Sequence, residues 1–268
     1  MQRLTRNALR LLHRIGGGVL PGSLFAHSYE EIPGRIHVED LMLRSTSPRH
    51  VQHYLTSAHS ALANLRESLA AVGRSCTDVS DCLDFGCGYG RVTRHLVRDL
   101  SPSAVTACDV DRSAVTFCAT EFGCRALVLH QDPKRWLLPE RYDLIWVGSV
   151  LTHLPEDRCN DLLDLLVLVL RRGGLLVFSS QGESCLDNLG WYGEHFRQRE
   201  RAFREGLQRA GTHFVPYPGK RDYGITMHTE SHLRLVMAER YRDRLRLVRY
   251  APRGWDDHQD VWSFQTPS

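Results

Sequence analysis

The sequence predicts an α/β fold built on a mostly parallel sheet. Two observations carry that expectation. From residue 81 onward, short and continuously apolar runs alternate with segments of helical period, and a glycine-rich turn joins the first such run to the first such helix. Strands that are apolar throughout, rather than at every second position, belong to sheets covered on both faces.

In chain order, Cys82-Leu83-Asp84-Phe85 reads as the first strand and Gly90 to Leu100 as a helix. Val105 to Asp109 is a second strand, followed by a helix from Arg112 to Phe122 that Gly123 ends. Ala126 to Leu129 is a third strand and Leu144 to Val147 a fourth. A strong helix is expected from Pro155 to Arg172, closed by Gly173-Gly174, before a fifth strand at Leu175 to Phe178. Leu245 to Tyr250 alternates like an edge strand with arginines on its open side. Val261 to Gln265 follows ten residues later, too soon for a helical crossover, so this last pair is expected to be antiparallel.

Residues 1–78 read as an N-terminal helical extension and 79–268 as the main domain. Residues 1–15 carry Arg3, Arg6, Arg10 and Arg14, no acid, and apolar residues at helical spacing. That pattern describes a short basic amphipathic helix, capable at most of weak peripheral contact with an anionic membrane. Gly16-Gly17-Gly18 and Pro21-Gly22 then break the chain. Ser47-Pro48 looks like the N-cap and first residue of a long helix that Gly73 ends.

The 268 residues are 42% hydrophobic and 24% charged, ordinary globular usage that excludes disordered, collagenous and coiled-coil classes. The longest apolar stretch, Leu162 to Leu170, is broken by Asp164 and falls short of the roughly 20 residues of a membrane span. The net charge of +3 is far from the strongly basic balance of a nucleic-acid module, so no nucleic-acid partner is expected. All 34 basic residues are arginines except Lys134 and Lys220. The eight cysteines form no close CxxC pair, which fits reduced, buried thiols and a cytoplasmic location.

The sharpest signal is Asp84-Phe85-Gly86-Cys87-Gly88-Tyr89-Gly90, set between strand and helix. Glycines at alternate positions permit unusual dihedrals and close backbone approach to a ligand. The carboxyl end of a parallel strand is where nucleotide-like ligands bind. Asp109 ends the next strand 19 residues later, placed to accept both hydroxyl protons of a ribose. A dinucleotide site wants G-x-G-x-x-G; here the third glycine comes one residue early. Asp84, an acid beside the loop, suits a cationic sulfonium better than a pyrophosphate.

These residues resemble the class I (Rossmann-like) S-adenosylmethionine-dependent methyltransferases, small-molecule type. Asp84 to Gly90 matches their first motif and Asp109 their ribose-binding acid. Arg141-Tyr142-Asp143-Leu144-Ile145-Trp146 matches their fourth strand. Leu151-Thr152-His153-Leu154-Pro155 matches the segment after it, and Leu170 to Leu176 the turn into the fifth. The resemblance implies S-adenosyl-L-methionine as cofactor and a seven-stranded doubly wound sheet of order 3-2-1-4-5-7-6 with strand seven antiparallel. It also implies that Gly86, Cys87, Gly88 and Gly90 line the methionine and ribose part, that Val110 packs on adenine, and that Val147 and Gly148 lie under the methionyl group. The adenine amino group falls to Gln131 or Asp132. Both readings stay open, because with Asp132 in that role the following residue is Pro133, which has no N–H for the ring nitrogen.

A hydroxyl acceptor must lose a proton as it is methylated, and a positioned base adds about 10²- to 10⁴-fold. His153, just after the fourth strand, leads the candidates, with Glu183 after the fifth strand and His258 in the polar loop Gly254 to Asp260 behind it. Residues 184–228 form an insert expected to cap the acceptor pocket, with Trp191, Tyr192, Tyr217, Tyr223 and His228 as lining candidates. His50 with His53, and His228 with His232, show no clear third ligand, so no metal is expected. The expected activity is methyl transfer to a small molecule, most directly to oxygen. The alternatives are an RNA or protein methyltransferase and a catalytically silent cofactor-binding member.

Overall fold

The computed structural model describes residues 19–20, 35–45, 47–138 and 141–268. The amphipathic segment 1–15 lies outside the described residues. The strands are β1 (Cys82–Phe85), β2 (Val105–Asp109), β3 (Arg125–Val128), β4 (Tyr142–Val147), β5 (Leu170–Ser180), β6 (Thr212–Pro216), β7 (Gly224–His228), β8 (Arg246–Trp255) and β9 (Gln259–Gln265). Seven of them form one sheet in the order β3-β2-β1-β4-β5-β9-β8. β9 runs antiparallel to β5 and to β8, and the expected order is therefore the observed one. The main helices are α1 (Pro48–Ala70), α2 (Thr93–Asp99), α3 (Arg112–Phe122), α4 (Glu156–Leu168), α5 (Glu194–Arg197), α6 (Glu200–Ala210) and α7 (Glu230–Tyr241).

The chain divides into two compact units, Met1–Ala63 with Val79–Leu137 and Asn64–Asp78 with Leu138–Ser268. In the first, β1, β2 and β3 pair in parallel. Cys82, Leu83, Val105, Ala107 and Cys108 are all fully buried, as continuously apolar strands require. The Asp111 side chain caps α3 by accepting from the Ser113 and Ala114 N–H groups, and Gly123 ends it at φ +68°. A two-residue pairing, Val19–Leu20 with Ile36–His37, precedes a small cluster of Ile36, Leu43, Val51, Tyr54 and Leu55.

In the second unit the expected helix 155–172 is shorter. α4 stops at Leu168, and β5 starts at Leu170 instead of Leu175. Tyr142 pairs with Leu170 and Leu144 with Leu175, so the extra residues are absorbed in a register slip beside Tyr142. An apolar run crossing from helix to strand gave the sequence no boundary to show. The first helix after the glycine loop is shorter too, beginning at Thr93 rather than Gly90.

The insert is a folded element with its own core. A 3₁₀ segment (Glu183–Tyr192), α5, α6 and the antiparallel hairpin β6–β7 bury Cys185, Leu189, Phe196, Phe203, Val215 and Met227 together. Helix α6 shows its polar face in the i,i+4 pairs Arg201–Glu205 and Arg204–Glu200. Gly206 has no side chain because the His213 ring occupies that place; an added Cβ would lie 2.3 Å from its Nδ1.

Candidate active site

The glycine loop follows β1 in the first unit. Gly86, Gly88 and Gly90 have φ of +76°, +50° and +77°, so all three glycines sit where L side chains are strained. They differ in surroundings. A Cβ on Gly90 would lie 2.4 Å from Phe122 of α3, whereas one on Gly88 would meet nothing within 4 Å. Gly90 is therefore a packing glycine, and Gly88 presents bare backbone to open space.

The loop is held on the next strand. The Gly86 and Cys87 N–H groups donate to the Cys108 carbonyl at 2.8 and 3.0 Å. The Gly88 N–H donates to Asp109 Oδ2 at 2.9 Å, and the Asp111 N–H to Asp109 Oδ1 at 3.0 Å. A carboxylate offers about four acceptor positions. Two backbone donors fix the Asp109 carboxylate at the end of β2 and leave capacity for two hydroxyls.

Asp84 is placed otherwise than a ligand-facing acid would be. It is 2% exposed and accepts from the Thr93 hydroxyl at 2.6 Å. Burial pushes its pKa up to about 6, against the lowering effect of the Thr93 bond. Its contacts tie β1 to α2. The Cys87 thiol is likewise buried, with its pKa raised by its contact with Cys118 and by burial, so only the backbone of Cys87 faces outward.

After β3, His130 organises the turn. The Asp132 N–H donates to its Nδ1, Trp136 Nε1 donates to its carbonyl, and the Trp136 ring meets Phe85 edge to face. Asp132 caps the short turn that follows by accepting from the Lys134 N–H. The exposed Gln131 donates through Nε2 to the Val110 carbonyl at 3.0 Å, which fixes its amide beside Val110.

Sequence reasoning passed over the segment before α1. His37 stacks on Tyr89 of the glycine loop, ring centroids 4.3 Å apart and nearly parallel. The fully buried Arg94 donates to the carbonyls of Gly90 and Arg35 and to the Tyr54 hydroxyl, which in turn donates to Asp40. Nothing in the local pattern around Arg94 marks it, since its partners lie up to 59 residues away.

The second unit contains the candidate bases. His153 follows the carboxyl end of β4, and its Nδ1 lies 2.8 Å from the Gly224 carbonyl. A carbonyl only accepts, so Nδ1 carries the proton and Nε2 presents its lone pair. Burial lowers the His153 pKa, partly offset by that hydrogen bond, which keeps the ring neutral. Tyr223 and Tyr217 stack on it at 5.2 and 6.1 Å. The insert, through its hairpin, thus sets the tautomer and the walls of this histidine.

His258 is not offered as a base. Its Nε2 is 2.5 Å from the Tyr192 hydroxyl, its Nδ1 faces the Cys185 thiol, and Trp191 covers the ring. With both nitrogens engaged and the residue 8% exposed, it joins the insert to the β8–β9 hairpin. Glu183 is exposed at the start of the 3₁₀ segment. Val147 is fully buried, and Gly148 is hemmed in, a Cβ there lying 2.7 Å from Trp146 and 2.9 Å from Trp255. The structure thus supplies a packing reason for a glycine at 148.

A polar cluster that sequence reasoning missed sits just beyond β4. Ser149, at φ +59°, donates its N–H to Ser179 Oγ; Ser179 donates to Gln259 Oε1, and Gln259 Nε2 donates back to Ser149 Oγ. A non-glycine residue at positive φ held by Ser179 and Gln259 is stored strain of the kind found at functional sites.

Comparison with known proteins gives the class in two steps. The fold matches solved methyltransferase structures. One is a 1,6-didemethyltoxoflavin-N1-methyltransferase of Burkholderia thailandensis with S-adenosylhomocysteine bound (TM-score 0.55, 18% identity, 82% of each chain). Another is the magnesium protoporphyrin IX methyltransferase of Synechocystis, also with S-adenosylhomocysteine (TM-score 0.51, 17% identity, 81% of this chain and 87% of that one). Residues 82–174 match the methyltransferase domain family, and the fold is the one those methyltransferase structures share. The curated N-terminal Xaa-Pro-Lys N-methyltransferase 1 of Danio rerio is 31% identical over 115 residues, 39% of this chain; the match spans about half, 49%, of that protein.

Proposed function

We propose that the protein transfers a methyl group to a small-molecule acceptor, with oxygen as the target atom and His153 as the base. The observation that supports this reading is the fixed His153 tautomer, with Nδ1–H on the Gly224 carbonyl and the ring packed against the stacked pair Tyr217 and Tyr223. An Nε2 lone pair on a neutral imidazole can take the proton that a hydroxyl must lose. The aromatic walls suit a flat or apolar acceptor, and the insert 184–228 that supplies them is the part we assign to acceptor binding.

The first unit fits the cofactor. S-adenosyl-L-methionine supplies a methyl group on a sulfonium, which leaves as a neutral thioether. The Asp109 carboxylate would accept from the two ribose hydroxyls, and the open Gly88 backbone would let the methionine part approach. Val110 would pack on adenine, and Gln131, anchored on the Val110 carbonyl, would turn its amide oxygen to the adenine amino group. Of the two readings left open by the sequence, Gln131 at the amino group is favoured by the Asp132 carboxylate already serving the turn, while the Asp132 N–H that this register would turn to the ring nitrogen is taken by His130. Asp84 and Gly90 act as positioning residues. The buried, reduced thiols and the want, among the described residues, of any helix able to cross a membrane support placing the reaction in the cytoplasm.

A second reading, a peptide N-terminal amine as acceptor, is favoured by the Danio rerio relative. Labelled-methyl transfer to a panel of small hydroxyl compounds, run beside an Xaa-Pro-Lys peptide, separates the two. Label on a hydroxyl compound supports the first reading; label on the peptide alone sinks it.

A further inference from the structure

The pair His228 and His232 has a third partner that the sequence hid. Glu156, the first residue of α4, lies 76 positions from His232, yet its Oε1 is 2.5 Å from His232 Nε2. The three side chains each offer one donor atom, and these atoms all lie within 4.8 Å of one another. We propose that Glu156, His228 and His232 form a binding site for one divalent transition-metal ion of the zinc class.

Three observations support it. First, His228 is 6% exposed, and its Nδ1 is buried with no hydrogen-bond partner. An unpaired buried polar atom is costly, and metal coordination or a neighbouring donor relieves that cost. Second, the three groups open on a cavity of about 20 Å³, lined also by Leu151, Cys159 and Phe178. That exceeds the roughly 10 to 15 Å³ one water-sized occupant needs. Third, the scaffold fixes the main chain that carries both rings. The His228 backbone N–H donates to the Gln181 carbonyl, and the Thr229 hydroxyl, the N-cap of α7, accepts from the His232 backbone N–H. Gly211 makes room for His232, since a Cβ there would lie 2.6 Å from the His232 Cβ. The two imidazoles are parallel within 3° at 5.8 Å.

The donor set selects the ion. Magnesium and calcium want all-oxygen shells, whereas two imidazoles and one carboxylate suit zinc, cobalt or nickel. Metal–donor distances of about 2.0 to 2.2 Å put donors roughly 3 to 3.5 Å apart, so the Glu156–His232 contact opens slightly on binding. As the N–metal bond forms, the His232 proton on Nε2 is exchanged through water for one on Nδ1, so the ring stays neutral with its Nε2 lone pair on the ion. His228 offers the lone pair of its unpartnered Nδ1 directly. Three protein ligands leave a fourth position for water. The ion would clasp the end of the β6–β7 hairpin, the start of α7 and the start of α4.

The test is independent of any methyl transfer. The full chain, stripped with a chelator, is titrated with Co²⁺ alone and followed by visible absorption, then with Zn²⁺ by calorimetry. The expected result is one ion per chain with ligand-field bands of a low-coordinate nitrogen/oxygen site. Glu156→Gln, at a partly exposed position, and His232→Gln should remove the bands. Each should also weaken Zn²⁺ by at least the roughly 10- to 100-fold that losing even an outer partner costs. His228→Asn should do the same if it folds, which circular dichroism checks; the other two variants decide the matter if it does not. No bands in the folded wild type, or bands that persist in the Glu156→Gln/His232→Gln double variant, would overturn the site.

Discussion

In the proposed reading, Asp109 and His153 would separate binding from chemistry at the level of single side chains. Asp109 is held by the Gly88 and Asp111 N–H groups, with acceptor capacity left for the ribose proposed there. Hydrogen bonds to a charged group are worth about 1.5 to 3 kcal/mol. Asp109→Ala should therefore weaken S-adenosylhomocysteine by roughly 10- to 150-fold in calorimetry; unchanged affinity would remove the ribose assignment. His153→Ala should leave that affinity in place and lower kcat by about 10²- to 10⁴-fold. Because burial lowers the His153 pKa, the wild-type rate should stay level through neutrality and fall only at a pH below the ordinary imidazole range, about 6.5. A rate that halves near pH 7 would speak against a buried neutral base.

Among the elements, the glycine loop offers a paired contrast. Gly90→Ala collides with Phe122 and Cys118 at positive φ, so it should destabilise the fold by about 1 to 3 kcal/mol or more. Gly88→Ala has open space, so its stability cost should be only about 1 to 2 kcal/mol of backbone strain while cofactor affinity falls. Denaturant melts beside S-adenosylhomocysteine titrations would show the difference; equal melting midpoints would contradict the packing role of Gly90. The loop was legible because its information is local: three glycines at alternate positions between a strand and a helix mark a turn at positive φ. The same locality explains what was missed. The hairpin β6–β7 consists of two five-residue strands whose alternation is interrupted by Pro216 and Gly224, so its strands were not legible although the segment was expected to cap the acceptor pocket. Helix α4 was drawn too long because leucines and valines run without a break from Leu165 to Leu170. Glu156 could not be paired with His232 from spacing, since only the fold closes a gap of 76 residues.

For the whole molecule, acid response follows from the buried titrating groups. His153, His213, His228 and His258 all have lowered pKa values, with burial the largest cause in each. As pH falls through about 6.5 the unfolded chain binds protons that the folded chain refuses, so these four lose stability on acidification. Asp84, raised to about 6, and Asp260, also raised, act in the opposite sense, since the folded chain binds their protons first. Four groups oppose two, and His228, at about 3, has the widest window. The melting temperature should drop by at least about 5 °C between pH 7 and pH 5, read by calorimetry in chelator so that no bound ion competes with protons. A rise over that interval would reverse the balance. At this scale the sheet order and the antiparallel last strand were readable, because alternating apolar runs and a ten-residue gap leave few topologies. The Asp40–Tyr54–Arg94 network and the Ser149–Ser179–Gln259 cluster were not, because each joins residues that are polar for reasons of burial rather than pattern.

The cysteines turn the chain into its own unfolding gauge. All eight are thiols; seven are buried and Cys76 alone is partly exposed, while burial or a neighbouring thiol raises the pKa of Cys87, Cys108, Cys124, Cys159 and Cys185. Thiolate is the reactive form. A thiol-specific chromophore should therefore label about one site quickly in the native protein and the remainder only as fast as the chain opens, so that the slow phases time the opening of separate regions without any engineered probe.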